Sequence, residues 1–168
     1  MTKIYLFALG FASLFCAAQQ SVSFESSENF NLGNIHNQNG WEVTLNTDNL
    51  PIQNQVISND RASDGTQSLK IEVDENENFG WFPVFGAAKV FTENFNYNNF
   101  KAEFDVYITE LDGSTFEFGA HGIVAEQYVP IFVLSFNYTG NLELVSSTDY
   151  NYENANFTWE ANKWYKLK

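Results

Sequence analysis

The chain has 168 residues, with 21 acidic and 8 basic side chains and a formal net charge of −13 at pH 7. Proteins that bind nucleic acid or anionic lipid carry clusters of Lys and Arg, so this charge argues against both partners. An acidic surface keeps an exported protein soluble. Some of its carboxylates are also candidate ligands for a hard cation such as Ca²⁺.

Residues 1–18 have the organisation of a secretory signal peptide. Lys3 supplies the positive n-region, residues 4–15 form a small-or-apolar run, and Ala18 ends a group of small residues suited to cleavage. The run is shorter than the roughly 20 residues of a membrane-spanning helix, and no later stretch comes close. We predict cleavage after Ala18, a secreted or cell-surface location, and no membrane span.

Cys16 is the only cysteine of the chain, and it lies inside the predicted signal peptide. A lipidated N-terminus at Cys16 is the alternative, but Phe15 stands where that processing favours a small residue. Cleavage removes Lys3 and changes the formal charge from −13 to −14. Residues 19–168 then need a hydrophobic core or metals for stability, and they are long enough for one such core. We expect a single domain there.

Alternation of apolar and polar residues is the dominant pattern, and no apolar pattern with helical spacing lasts three turns. The run 131–138 is apolar on both faces, which predicts a central strand, and Gly140 predicts a hairpin to residues 142–145. The other alternating runs are 69–74 and 100–109. Turn-forming residues lie at 46–49, 60–65, 74–78 and 112–113. Short strands at this spacing predict an all-β, antiparallel β-sandwich or jelly roll.

Both ends of the mature chain suggest strands. Val22 and Phe24 are candidates for the first strand, and residues 26–40 read as a long surface loop before Trp41. The segment 159–167 resembles the beginning of a strand, and the chain stops there. A sandwich ending at that point leaves an edge unpaired, so we expect a fragment whose closing strands are missing.

Three segments carry a family resemblance: Phe24-Glu25, Gly40-Trp41 after the loop, and Ala-Ser-Asp-Gly-Thr-Gln-Ser-Leu-Lys-Ile at 62–71. They resemble the start of β-sandwich carbohydrate-binding modules of the concanavalin-like or laminin-G-like type, found in bacterial proteins exported by type IX secretion. The segment 104–108, the Gly140 hairpin and the aromatic residues of 159–165 are similar too. The resemblance covers most of the mature chain and implies a jelly roll.

The resemblance also implies a structural calcium ion. In many such jelly rolls a Glu beside the first strand is a calcium ligand, and Glu25 matches its position. Asp60 and Asp64, in the turn before Gly65, are candidates for further ligands. The alternative is that Glu25 is a polar residue at the end of a strand.

Catalysis has one candidate pair, Glu103 and Asp105, which share a strand face. Concanavalin-like glucanases use a Glu-x-Asp-x-x-Glu strand, but Ile108 occupies the third position and Glu110 comes two residues late. The pattern is broken, so we expect both carboxylates on a solvated face and no enzyme activity. His36 and His121 share no metal-binding spacing and are read as polar residues.

Binding is the function that the aromatic residues favour. Aromatic rings stack on the apolar faces of sugars, and candidates in turn-rich segments are Trp81, Tyr128, Tyr150 and Tyr152. Trp41 and Trp164 are expected in the core. The predicted function is an extracellular, non-catalytic module that binds a polysaccharide or glycan. The alternatives are a structural or adhesive domain of a larger cell-surface protein and, third, a glycoside hydrolase.

Overall fold

The computed structural model describes residues 20–77, 84–91, 101–145 and 150–168. These residues form eleven β-strands, a 3₁₀ turn and no α-helix. The 3₁₀ turn is Ser26–Glu28, and the strands are β1 (Gly33–Asn34), β2 (Trp41–Val43), β3 (Gln55–Ser58), β4 (Ser68–Ile71), β5 (Ala87–Lys89), β6 (Phe104–Ile108), β7 (Phe116–Val124), β8 (Gln127–Phe136), β9 (Asn141–Val145), β10 (Tyr152–Thr158) and β11 (Lys163–Leu167). The ladders β1–β3, β3–β4, β6–β11, β7–β8, β8–β9 and β9–β10 are antiparallel. The predicted all-β, antiparallel fold is confirmed.

The chain divides into two compact units, Met1–Ala88 and Lys89–Lys168. In the first unit, β3 lies between β1 and β4, and β2 pairs with β5. The buried side chains are Phe30, Ile35, Val43, Ile52 and Ile57, with Trp41, Leu69 and Ala87 packed against them. Residues of both sheets therefore share one core, which is the arrangement of a small β-sandwich.

In the second unit, the strand order of the larger sheet is β10-β9-β8-β7, and the smaller sheet pairs β6 with β11. Phe136, Leu142, Val106 and Trp159 form the buried cluster, so both sheets contribute to one core. Each unit thus has the layered arrangement of the β-sandwich class. The jelly-roll connectivity and a single domain over residues 19–168 stay predictions.

The central strand and its hairpin are found where the alternation placed them. β8 pairs with β7 on one side and with β9 on the other. Gly140 closes the β8–β9 connection at φ +89°, a conformation that glycine adopts without steric cost. Of the two tryptophans expected in the core, Trp41 packs against it, but Trp164 is exposed. Trp159 is the buried one instead, and its indole N–H donates to the Asn137 carbonyl at 3.1 Å.

The predicted first strand is wrong. Residues 20–25 form no strand, because Phe24 has φ +63° and the 3₁₀ turn follows directly. The Phe24 ring packs instead against Phe30 and Trp41, at centroid distances of 5.4 and 5.5 Å. The segment 26–40 is also more than a surface loop, since Phe30 and Ile35 are buried in it. The predicted signal peptide, residues 1–18, lies outside the described residues.

Candidate functional site

The larger sheet of the second unit has two chemically different faces. Phe116, Leu134 and Phe136 point to the core. Because side chains alternate along a strand, Glu117 and its neighbours at alternate positions point to the opposite side. The register sets them in rows across the strands: Glu117–Ser135–Glu143 in one row, and Gly119–Val133–Val145–Tyr152 in the next. We call this side of the sheet the tyrosine face.

An aromatic cluster lies at one end of the tyrosine face. The His121 ring stacks on Tyr150, with centroids 6.5 Å apart and planes at 25°, and meets Tyr128 edge-on at 6.3 Å. Tyr128 lies directly across from Ile123, two residues beyond His121, so all three residues share this side. Tyr128, Tyr150 and Tyr152 have exposed fractions of 71%, 44% and 50%. Exposed rings that already contact a neighbour form a preorganised stacking surface.

Tyr152 spans the width of the sheet. It starts on β10, and its hydroxyl donates to Glu117 Oε1 on β7 at 3.0 Å. Two strands lie between them, each about 4.8 Å from the next, so the two side chains meet above β8 and β9. Partial desolvation raises the pKa of Tyr152, and the Glu117 carboxylate adds to this because it stabilises the protonated phenol. The pair orders a phenol and a carboxylate on the face.

Beneath this pair lies an unsatisfied hydroxyl. Ser135 is fully buried, and its Oγ has no hydrogen-bond partner. Its two strand neighbours in the row are the carboxyl-bearing Glu117 and Glu143. Glu143 Oε2 accepts a hydrogen bond from the Asn137 amide at 3.3 Å. The row therefore presents three oxygen-bearing side chains side by side.

Gly119 lies between Glu117 and His121 on this face, where β8 packs too closely for a side chain. A Cβ at this position would lie 2.6 Å from the Phe132 carbonyl oxygen and 2.7 Å from Val133 Cγ2. Such distances are too short for any larger residue, so packing against β8 requires glycine here. Val133 Cγ2 therefore packs directly against the Gly119 backbone, between the His121 imidazole and the Glu117 carboxylate.

The structure thus brings together three of the four residues predicted to bind sugar: Tyr128, Tyr150 and Tyr152. The fourth, Trp81, lies outside the described residues. Sequence reasoning missed Glu117 and treated His121 as an isolated polar residue. The signal was present, because Glu117 and His121 alternate with the core residues of β7.

The predicted calcium ligands have other partners. Glu25 lies next to the turn that ends at Gly65, as the resemblance implied, but its carboxylate accepts hydrogen bonds. Oε1 accepts hydrogen bonds from the backbone N–H groups of Thr66 and Gln67 at 2.7 and 2.8 Å, and Oε2 accepts one from the Thr66 hydroxyl at 2.7 Å. The Thr66 hydroxyl, followed by these backbone donors, lowers the pKa of Glu25. We call this arrangement the Glu25 clasp.

The two aspartates are separately engaged. Asp60 pairs with Lys70 at 3.3 Å, and the hydrogen bond from Lys70 is the main reason that the pKa of Asp60 is lowered. Asp64 Oδ1 accepts the Gly65 N–H at 2.9 Å. Within the part of the chain that the structure describes, no three His, Cys, Asp or Glu side chains form a metal-binding group. The groups around Glu25 donate hydrogen bonds to its carboxylate, whereas a calcium ion is held by oxygen ligands. Calcium therefore stays a prediction from the resemblance.

The candidate catalytic pair faces lysines. Glu103 pairs with Lys168 at 3.3 Å, and Asp105 pairs with Lys166 at 3.6 Å. Each of these side chains is partly or largely exposed. Exposed ion pairs of this kind contribute little to stability and indicate a solvated surface. This is the interpretation that the broken glucanase pattern favoured.

No helix formed by the described residues is long and apolar enough to cross a membrane. Comparison of the chain with protein-family models, with curated proteins and with solved structures finds no match. The chemistry of the tyrosine face is therefore the basis for a functional proposal.

Proposed function

We propose that the chain is an extracellular, non-catalytic module that binds carbohydrate through the tyrosine face. One observation carries the proposal: Tyr128 and Tyr150 both pack on His121, beside the hydrogen-bonded pair of Tyr152 and Glu117. Residues 22 positions apart in sequence thereby present their rings in one cluster.

The chemistry of this cluster suits a sugar. The C–H face of a pyranose ring is apolar and stacks on tyrosine, while its hydroxyl groups need polar partners at the rim. The Tyr152 hydroxyl donates its proton to Glu117, so the phenolic oxygen and the remaining carboxylate lone pairs are acceptors for sugar hydroxyl groups. The acidic composition and the predicted signal peptide agree with a protein that acts outside the cell.

Affinity electrophoresis of the full chain through gels containing a broad panel of polysaccharides tests the proposal. We expect retardation by at least one polysaccharide, and Tyr150→Ala should weaken binding about three- to tenfold, the effect of losing one stacked ring. Tyr138→Ala is the matched control, because Tyr138 is a comparably exposed tyrosine that lies outside the His121 cluster. No retardation across the panel, or equal effects of both variants, would contradict the proposal.

An adhesive or structural domain is the second candidate, and the β7–β8 hairpin favours it. β9 pairs with β8 only from Val133 to Phe136, so residues 120–131 extend beyond the sheet as a two-stranded ribbon. Ile123 and Val124 near its tip are 71% and 61% exposed. Exposed apolar groups on a ribbon are typical of a protein contact. Partners that co-purify with the chain and are lost with Ile123→Ser, without any glycan retention, would support this candidate instead.

The calcium prediction has its own test. If a calcium ion is bound through Glu25, Asp60 and Asp64, EDTA should lower the melting temperature. An unchanged melt would agree with the hydrogen-bonded clasp and would remove calcium from the description.

A further inference from the structure

We propose that the glycan bound by the tyrosine face carries protonated amino groups, so that the ligand class is an amino sugar polymer with free amines. This inference rests on the proposed function and names its ligand. It is motivated by the acceptors, the rings and the charges that surround the face.

The acceptors are the first argument. Glu117, Ser135 and Glu143 are direct strand neighbours, and each places oxygen on the same side of the sheet. An ammonium group has three donors and no acceptor, so it is complementary to such a row. The Ser135 hydroxyl is fully buried beneath the Tyr152–Glu117 pair and has no partner, which is unfavourable, and a ligand reaches it when that pair opens.

The rings are the second argument. Tyr150 and Tyr152 lie at the same side of the sheet as these acceptors, and Tyr152 is bonded to Glu117 itself. The face of an aromatic ring attracts a cation through its quadrupole, and it also stacks on a sugar. One ligand that satisfies both is a sugar ring with an amine in place of a hydroxyl.

The charges are the third argument. Lysines between residues 101 and 168 are confined to the other sheet and its flanks, and each makes an ion pair there. These pairs are Lys101 and Lys168 with Glu103, Lys166 with Asp105, and Lys163 with Glu160. None of these cations neutralises Glu117 or Glu143. A glycan bearing carboxylate or sulfate groups would therefore meet repulsion on this face, and an amine would meet attraction.

Isothermal titration calorimetry tests the inference with two hexasaccharides that differ only in acetylation: one of glucosamine and one of N-acetylglucosamine. Both are measured at one mildly acidic pH, where the free amines are protonated. We expect the glucosamine oligomer to bind about tenfold more tightly, as one exposed ion pair and one cation–π contact would give. The preference should shrink as salt is added.

Two variants and one control test whether the preference for the glucosamine oligomer depends on the tyrosine face. Glu117→Gln should abolish most of it, while Glu75→Gln, which changes the net charge equally at an exposed turn of the first unit, should leave it unchanged. Ser135→Ala should reduce the preference without loss of stability, since it removes an unpaired buried hydroxyl.

Equal binding of the two oligomers overturns the inference and leaves the carbohydrate proposal standing. Equal effects of Glu117→Gln and Glu75→Gln also overturn it, because net charge alone then explains the preference. Displacement of the glucosamine oligomer by Ca²⁺ would assign the three acceptors to a metal instead. If neither oligomer binds, the inference fails, and the polysaccharide panel decides whether the proposed function fails with it.

Discussion

Replacement of Gly65 by alanine tests the Glu25 clasp, the contact that holds the N-terminal segment against a distant turn. Gly65 has φ +71°, and a Cβ there would overlap Glu25 Oε1 and lie 2.9 Å from its Cδ. The Glu25 side chain can move away only by giving up the hydrogen bonds from Thr66 and Gln67. Gly65→Ala should therefore have two effects: a residue with a Cβ is placed in a left-handed conformation, and the clasp is broken.

A matched substitution separates the two effects. Gly40 has φ +80°, and a Cβ there would meet no atom within 4 Å. Gly40→Ala should lower the free energy of unfolding by about 1–2 kcal/mol, the cost of a left-handed conformation for a residue with a Cβ. Gly65→Ala should lower it by more than Gly40→Ala does, because overpacking is added to the same backbone cost.

The measurement is urea unfolding followed by circular dichroism, with each kcal/mol also lowering the melting temperature by about 2–4 °C for a chain of this size. In a Glu25→Ala background the overlap disappears, and Gly65→Ala and Gly40→Ala should then have equal effects. If the two glycine substitutions already have equal effects in the parent chain, the Glu25 carboxylate does not lie beside Gly65 and the clasp does not exist.

Three further predictions concern the clasp and the tyrosine face. Because the folded state lowers the pKa of Glu25, the stability that its carboxylate contributes is complete above the unfolded pKa, near 4.5, and is lost as the pH falls through the lower folded pKa. The difference in melting temperature between the parent and Glu25→Gln should therefore close on acidification. A difference that stays constant with pH would contradict the clasp. Gly119→Ala should destabilise by roughly 1–3 kcal/mol through overpacking, whereas Gly122→Ala, whose Cβ would come no closer than 3.8 Å to Ile131, should be nearly neutral in the same urea assay. In an alkaline ultraviolet titration, Tyr152→Phe should remove one tyrosine that ionises above pH 10. The small stability that the protonated phenol contributes should fade as the pH rises through that raised pKa. Loss of a tyrosine with an ordinary pKa would argue against the bond to Glu117.

Local pattern was enough to predict several of the strands, with β4, β6, β8 and β9 among them. The two-residue period of residues 131–136 places side chains on alternate faces of β8, and Gly140 marks the turn to β9; both features depend only on neighbours in the chain. The same local reasoning failed at Phe24, Phe30 and Ile35. Burial of Phe30 and Ile35 within a polar segment depends on distant residues such as Ile57, which a local pattern does not contain.

The residue types of the candidate site were also visible in the sequence, since exposed tyrosines in turn-rich segments indicate stacking surfaces. Their assembly was not. Tyr128 meets His121 because β7 and β8 pair in one register, with an irregularity between Ala120 and His121. Tyr150, which precedes β10, reaches His121 because β10 joins the same sheet through β9. A slip of β8 by one residue would send the Tyr128 ring to the other face.

The sequence by itself determined the acidic surface, the strands and the kinds of side chain available for binding, because these follow from composition and from contacts between near neighbours. Only the tertiary structure decided what each carboxylate does. Glu25 reaches Thr66 across 41 positions, and Tyr152 reaches Glu117 across 35. Such pairs form when register and packing fix two distant backbones, and no periodicity in the chain encodes that distance.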